Sequence, residues 1–161
     1  MEDLSTRIEP RALAASVDAV MDEVIELRRW LHAHPEPSGE EYETAATVAR
    51  RLRALGLEVR EGVGGTGVVG LLCARPEAPW LALRADMDAL PVTDEKTADY
   101  RSRRDGCAHA CGHDAHTAML LGAAIVLAGL REHLRCNLAF VFQPAEETCA
   151  GAAAMLADGL F

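Results

Sequence analysis

The spacing of apolar residues in the first third of the chain predicts two amphipathic helices. Between about residues 10 and 33, apolar side chains recur at the period of a helix with one buried face. A second helix is predicted to begin at Ser38, where Glu41 completes a capping box, and to end at Gly56. The positions that define the two buried faces are Val17, Val20, Met21, Val24, Ile25, Leu31, Ala45, Val48, Leu52 and Leu55.

The rest of the chain alternates strand-like runs with helices. LEVRE, VVGLLCA, WLALRADMD and NLAFVFQ are short apolar or alternating runs typical of strands. A long apolar helix is predicted from near Thr117 to about Arg131, and GAAAMLADG is predicted to be a helix closed by Gly159. This alternation predicts an α/β fold with a mixed, mainly parallel sheet flanked by helices.

The glycine-rich segment GVGGTG is predicted to be a tight turn between two strands. Gly62, Gly64 and Gly67 satisfy G-x-G-x-x-G, but the strand VVGLL follows them. A dinucleotide site needs a helix N-terminus at that point to receive the pyrophosphate. We therefore expect no dinucleotide cofactor here.

Composition narrows the classes of partner. The 161 residues carry a formal net charge of -9 without a cluster of Lys or Arg, which argues against nucleic acid or an anionic membrane. The start MEDLSTRIEP lacks the features of a secretory signal, and AMLLGAAIVLAGL is too short to span a bilayer. Five cysteines, an odd number, argue against a disulfide framework and favour metal binding beside histidines. We expect a soluble cytoplasmic chain forming one domain unit over residues 1–161.

Polar side chains cluster at three places where predicted strands end or helices begin. Ligand sites in open α/β sheets lie beyond the carboxyl ends of the strands, so these clusters are expected to converge. They are Asp86 and Asp88 after one strand, HACGHDAHT at 109–117, and Glu146 and Glu147 after another strand.

The chemistry of these clusters fits a divalent metal. Cys111 and His113 offer a thiolate and an imidazole, and Glu146 and Glu147 offer carboxylates, a mixture that zinc and its neighbours accept. One glutamate can bind the metal while the other acts as a general base on an activated water. Asp88 is a candidate to hold a ligating histidine in position.

The same residues are also compatible with purely structural roles. The glutamates can start a helix, the aspartates can cap a turn, and His109 and His116 can be hydrogen-bonded neighbours. A closed structural zinc site of Cys107, His109, Cys111 and His113 is a second hypothesis, although ligation within seven residues is sterically awkward. Replacing Glu147 separates the two metal hypotheses.

Four motifs in order resemble the M20 metallopeptidase family. They are LRRWLHAHPEPSGEE, LALRADMDALPV, HACGHDAHTAMLLGAA and FVFQPAEE, within residues 24–161. The most similar branch is the N-acyl-amino-acid amidohydrolases, which include hippurate hydrolases, aminoacylases and plant auxin-conjugate hydrolases. The resemblance implies a three-layer catalytic domain with two divalent ions, zinc or manganese foremost and cobalt or nickel as alternatives. The implied reaction is hydrolysis of the amide bond of small N-acyl amino acids.

Carried over position by position, the resemblance implies roles for individual residues. Cys111, His113 and Glu147 match metal ligands, and Glu146 matches the general base that activates the water. Asp88 matches a catalytic-site aspartate.

The family pattern also extends beyond this sequence. Asp86 stands where other branches place a metal-binding histidine, and two further metal-binding histidines and a lid or dimerisation domain follow later in the family. We therefore expect residues 1–161 to be the N-terminal portion of the catalytic domain, with little or no activity alone. The alternative is a non-catalytic remnant, or a half-domain completed by a partner chain or a homo-oligomer.

Overall fold

A computed structural model describes residues 8–160, in which three α-helices are followed by three strands, and then by an α-helix, a strand and a last α-helix. The helices are α1 (Pro10–Asp18), α2 (Met21–Ala33), α3 (Tyr42–Ala54), α4 (His113–Gly129) and α5 (Gly151–Ala157). The strands are β1 (Glu58–Val63), β2 (Gly67–Leu72), β3 (Trp80–Asp86) and β4 (Asn137–Gln143). A helix long and apolar enough to cross a membrane is not found among these residues.

The four strands form one mixed sheet in the order β1-β2-β4-β3. β2 is antiparallel to both β1 and β4, whereas β3 and β4 are parallel. The mixed α/β class is confirmed, but parallel pairs do not predominate among the described strands, contrary to expectation. The connections explain this: a tight turn forces β1 and β2 into a hairpin, and the helical crossover through α4 joins the parallel pair.

The glycine-rich segment forms the hairpin turn between β1 and β2, as predicted. Gly62 and Gly64 have left-handed backbone angles, and the Gly65 amide donates to the Gly62 carbonyl across 3.4 Å. The backbone returns directly into β2 without a helix, so the segment is not a dinucleotide loop.

The helix predicted over residues 10–33 is two helices. A turn at residues 19–20 separates α1 from α2, and the Val20 amide bonds to the Val17 carbonyl at 3.1 Å. None of the residues of α1 is buried, so packing does not hold its apolar positions in line with those of α2.

Two other helices begin at different residues from those predicted. α3 begins at Tyr42 instead of Ser38, because the Ser38 hydroxyl donates to Asp88 and the predicted capping box does not form. α4 begins at His113, before the predicted start near Thr117. His113 therefore lies in the first turn of a helix, which fixes the direction of its side chain.

The core lies on both faces of β4, whose residues are all buried. Phe140 and Phe142 point into a larger cluster with residues of α2, α3 and α4. Val141, on the other face, packs with Met155 of α5. Helices on both faces of the sheet give the three expected layers, and burial of each large side chain contributes roughly 1.5–3 kcal/mol.

Candidate metal centre

The parallel pairing of β3 and β4 brings the predicted clusters to one edge of the sheet. Asp86 at the end of β3 pairs in register with Gln143 at the end of β4, and the two glutamates follow three and four residues later. The N-terminus of α4 presents His113 at the same edge. The predicted convergence of the clusters is therefore confirmed.

The buried His113 ring is at the centre of this arrangement. Its Nε2 atom lies 3.6 Å from Asp86 Oδ2, 3.7 Å from Glu146 Oε2 and 3.8 Å from Glu147 Oε1. Three carboxylates that surround one imidazole nitrogen concentrate negative charge around that nitrogen. Such a site favours a cation bound between the oxygen and nitrogen atoms.

Two groups of donors meet at His113. One contains Asp86, His113 and His116, the other contains His113, Glu146 and Glu147, and the donor atoms of each group lie within 4.8 Å of one another. Imidazole and carboxylate donors suit zinc, manganese and related divalent ions. Glu147 Oε1 is buried and has no hydrogen-bond partner among the described residues, which is the state expected of an oxygen reserved for a cation. The donor set therefore fits a divalent metal.

Asp88 orients the His113 ring. The His113 Nδ1–H contacts the Asp88 carbonyl at 2.9 Å and its carboxylate at 3.2 Å, which leaves Nε2 facing the other carboxylates. Fixing one ring nitrogen in this way determines the tautomer available to a metal. Asp88 also accepts hydrogen bonds from the Ser38 hydroxyl at 2.6 Å and the Glu147 amide at 3.0 Å.

These contacts shift the pKa of both partners. Burial alone raises the pKa of Asp88, but hydrogen bonds from His113, Ser38 and the Glu147 amide outweigh it and hold that pKa well below its usual range. Burial alone lowers the pKa of His113, but the Asp88 hydrogen bond and the charges of Asp86 and Asp88 outweigh it and raise that pKa. These contacts therefore favour the ionised form of the Asp88 carboxyl group.

Cys111 lies beside the centre but belongs to neither donor group. Its side chain is exposed, and a hydrogen bond from its thiol to the Glu147 carboxylate, together with burial and nearby carboxylates, raises its pKa. A cysteine side chain binds a metal as the thiolate, not as the thiol. Ligation by Cys111 stays a prediction from the sequence.

His116 and Asp86 belong to one of the two donor groups, although the predicted ligand set left them out. His116 Nδ1 lies 2.8 Å from Asp86 Oδ1, and Arg84 Nη1 lies 2.9 Å from the other oxygen. The available signal was the spacing of His113 and His116, which places both rings on one face of a helix. This spacing is informative only if the start of α4 at His113 is already known.

A buried ion-pair network supports the first turn of α4. The fully buried Asp114 carboxylate is 2.8 Å from Arg28 Nε and 2.7 Å from His32 Nδ1, which tie it to α2. His109 is also buried and, within the described part of the chain, neither ring nitrogen has a hydrogen-bond partner. Burial lowers the pKa of His109 to about 4, so its ring is neutral at neutral pH.

The structural-zinc hypothesis gains no support from this geometry. Cys107 is buried, and burial raises the pKa of its thiol. Neither Cys107 nor His109 belongs to a group of three or more close donors among residues 8–160.

Comparison with known proteins identifies the family. Residues 82–161 match peptidase family M20/M25/M40. Residues 82–161 therefore belong to the M20 metallopeptidase family, as the motifs predicted.

Relatives match over most of this chain but over a minor part of their own length. A probable hydrolase of Synechocystis is 49% identical over 87% of this chain and 36% of its own. The N-acetyl-L-cysteine deacetylase of Bacillus subtilis is 44% identical over 85% of this chain and 33% of its own. The chain thus spans about a third of the length of these relatives.

A solved structure shares the fold. The Bacillus subtilis YXEP protein, described as a dinuclear metal-binding peptidase from the M20 family, superposes with a TM-score of 0.84 at 40% identity. The match covers 89% of this chain and 40% of that protein.

The network below α4 yields a prediction on stability. Asp114→Ala is expected to lower the free energy of unfolding by roughly 3–5 kcal/mol, because Arg28 and the buried His32 both lose the carboxylate that they share. The matched control is Glu40→Ala, which removes an exposed pair with Arg104 and is expected to cost less than about 1 kcal/mol. Urea denaturation measures both, and equal losses would contradict the assignment.

Asp94, on the segment between β3 and α4, yields a prediction on pH. A hydrogen bond from the Ser102 amide lowers the pKa of Asp94 to about 2, with burial opposing it and Lys96 assisting. A depressed carboxyl pKa stabilises the folded state above about pH 4, and this contribution is lost as the pH falls toward 2. Urea denaturation from pH 5 to pH 2 is expected to show the stability deficit of Asp94→Asn shrinking as the pH falls. A stability deficit that stays constant over this pH range would contradict the contribution assigned to the lowered pKa of Asp94.

Proposed function

We propose that this chain supplies part of the active site of a metal-dependent amidohydrolase that cleaves N-acyl amino acids. The observation that carries the proposal is the convergence of Asp86, Glu146 and Glu147 on His113 Nε2 at the carboxyl edge of the parallel strands. Metal-binding side chains at such an edge are typical of hydrolytic centres on α/β sheets.

His113, Glu147 and Cys111 would hold the metal, and Asp88 would keep the His113 ring in position. The Glu147 oxygen without a partner and the His113 Nε2 atom freed by the Asp88 contact support this division. A divalent ion bound there would polarise the scissile carbonyl and lower the pKa of a water molecule.

Glu146 is proposed as the general base. Its side chain is 40% exposed, against 17% for Glu147, so it has the better access to water and substrate. A carboxylate in this place takes a proton from the attacking water and returns it to the nitrogen of the departing amino acid. The two neighbouring glutamates therefore have different roles: Glu147 binds the ion and Glu146 transfers the proton.

The substrate class rests on the relatives. One is named for removing the acetyl group from N-acetyl-L-cysteine, and the solved structure is described as a peptidase. Both names concern an amide bond, and the N-acyl form is favoured by the motifs of the amidohydrolase branch. Because the chain spans about a third of the relatives, we expect residues 1–161 alone to show little or no turnover.

Metal affinity tests the ligand assignment without requiring turnover. Calorimetric titration of the metal-free protein with Zn²⁺, Co²⁺ or Mn²⁺ is expected to show that His113→Ala and Glu147→Gln each weaken binding by about tenfold or more. Glu146→Gln is expected to leave affinity within about threefold, because a base for water need not bind the ion. Unchanged affinity in Glu147→Gln would instead favour the structural zinc site.

Turnover tests the reaction itself. The protein isolated from its own source, with its intact mass determined, is expected to release free amino acids from N-acetyl amino acids in a metal-dependent manner. Glu146→Gln is expected to lower kcat by about 10²–10⁴-fold, because proton transfer loses its base. A wild-type protein whose mass is well above the 17.3 kDa of these 161 residues, and which binds metal but leaves these substrates and dipeptides intact, would refute the proposed reaction.

A further inference from the structure

Glu41 is a completely buried carboxylate that the proposed reaction does not use. It lies just before α3 and has no exposed surface. A buried carboxylate is costly unless its oxygens accept hydrogen bonds. One oxygen of Glu41 accepts the Ala145 amide at 2.8 Å, and the other accepts the Thr66 hydroxyl.

The Ala145 amide belongs to a residue with an unfavourable backbone conformation. Ala145 has a φ of 48°, in the left-handed region that residues with a Cβ atom rarely adopt. Its carbonyl accepts the amides of Ala150 and Gly151 at 3.2 and 3.1 Å, which closes a tight loop. The peptide groups on both sides of Ala145 are therefore held by defined partners.

The loop is tight at its closing residue as well. A Cβ atom at Gly151 would lie 1.6 Å from the Pro144 carbonyl oxygen, so the backbone at the end of the loop packs directly against the residue that precedes it. The loop of residues 145–151 therefore has little room to adjust by itself. Its conformation depends on the contacts at its first residues.

A second carboxylate holds the loop two residues later. Asp88 accepts the Glu147 amide at 3.0 Å, and Ser38, three residues before Glu41, donates to Asp88 at 2.6 Å. The segment of residues 38–41 thus acts on the loop directly through Glu41 and indirectly through Asp88. Glu146 lies between the two anchored amides.

We propose that Glu41 is a positioning residue for the loop of residues 145–151, which carries Glu146 and Glu147. Its buried carboxylate holds Ala145 in the left-handed conformation and thereby fixes the directions in which Glu146 and Glu147 leave the backbone. Glu41 touches neither substrate nor metal in this assignment. Its effect on metal binding rests on the proposed function, whereas its effect on the loop does not.

A double-mutant cycle tests the mechanism through calorimetric affinity for Zn²⁺ or Co²⁺. Glu41→Ala is expected to weaken binding by about tenfold or more, since the carboxylate that positions the loop of residues 145–151 is lost. Ala145→Gly is expected to restore part of that loss in the double variant, because glycine adopts positive φ without penalty. Glu41→Gln is expected to stay within about threefold, since the amide can accept from Ala145 and donate to Thr66.

The matched control is Glu36→Ala. The Glu36 carboxylate also accepts backbone amides, those of Glu43 and Thr44 at 2.9 and 2.8 Å, but these belong to the start of α3. Loss of stability without loss of metal affinity is expected for this control. If Glu41→Ala does not fold, Thr66→Val is used instead. It removes the hydroxyl that donates to the Glu41 carboxylate and is expected to weaken metal affinity by a smaller factor.

Hydrogen exchange at the Ala145 amide gives a readout that needs no metal. Exchange of this amide is expected to be about tenfold or more faster in Glu41→Ala, or in Thr66→Val if the first variant does not fold, and unchanged in Glu36→Ala. If the wild type binds no metal but this protection is lost, the proposed function fails and the positioning role stands. If protection of the Ala145 amide is unchanged, the positioning role is overturned. If the wild type binds metal and the folded Glu41→Ala variant binds it equally well, the role is overturned as well.

Discussion

The parallel pairing of β3 with β4 is the constraint on which the whole centre depends. In register, it sets Asp86 against Gln143, so the backbone delivers one aspartate and two glutamates to the same edge of the sheet. The α4 crossover that makes this pairing possible also carries His113 in its first turn. One topological choice therefore positions the imidazole and the carboxylates that face it.

Much of this arrangement could be predicted because it depends on local patterns. The apolar run of β4 and the turn at Gly62 and Gly64 both predict the observed structure, and the clusters at strand ends predict the edge where side chains converge. The start of α3 could not be predicted, because Ser38 bonds to Asp88, which is distant in sequence. A capping pattern describes only neighbours along the chain.

The inner part of the site was harder to predict for the same reason. The spacing of His113 and His116 is informative only when the helix start is known, and the contact of His116 with Asp86 joins two elements. Glu41 fits the pattern of a helix cap, yet it is a buried acceptor for a loop more than a hundred residues away. Long-range hydrogen bonds of buried polar groups leave no periodic trace in a sequence.

Buried polar groups explain why the centre can be rigid. Asp88 and Glu41 hold two amides of one loop, and Asp114 holds the start of α4 against α2. Each buried carboxylate costs desolvation energy that its hydrogen bonds offset, so the gain is mainly a defined geometry. This geometry limits how many ions His113 can serve. Its Nδ1–H is committed to Asp88, which leaves a single lone pair on Nε2, although that atom belongs to both donor groups. The two groups therefore compete for one electron pair, and an ion bound through His113 in one of them leaves the other with only two of its three donors.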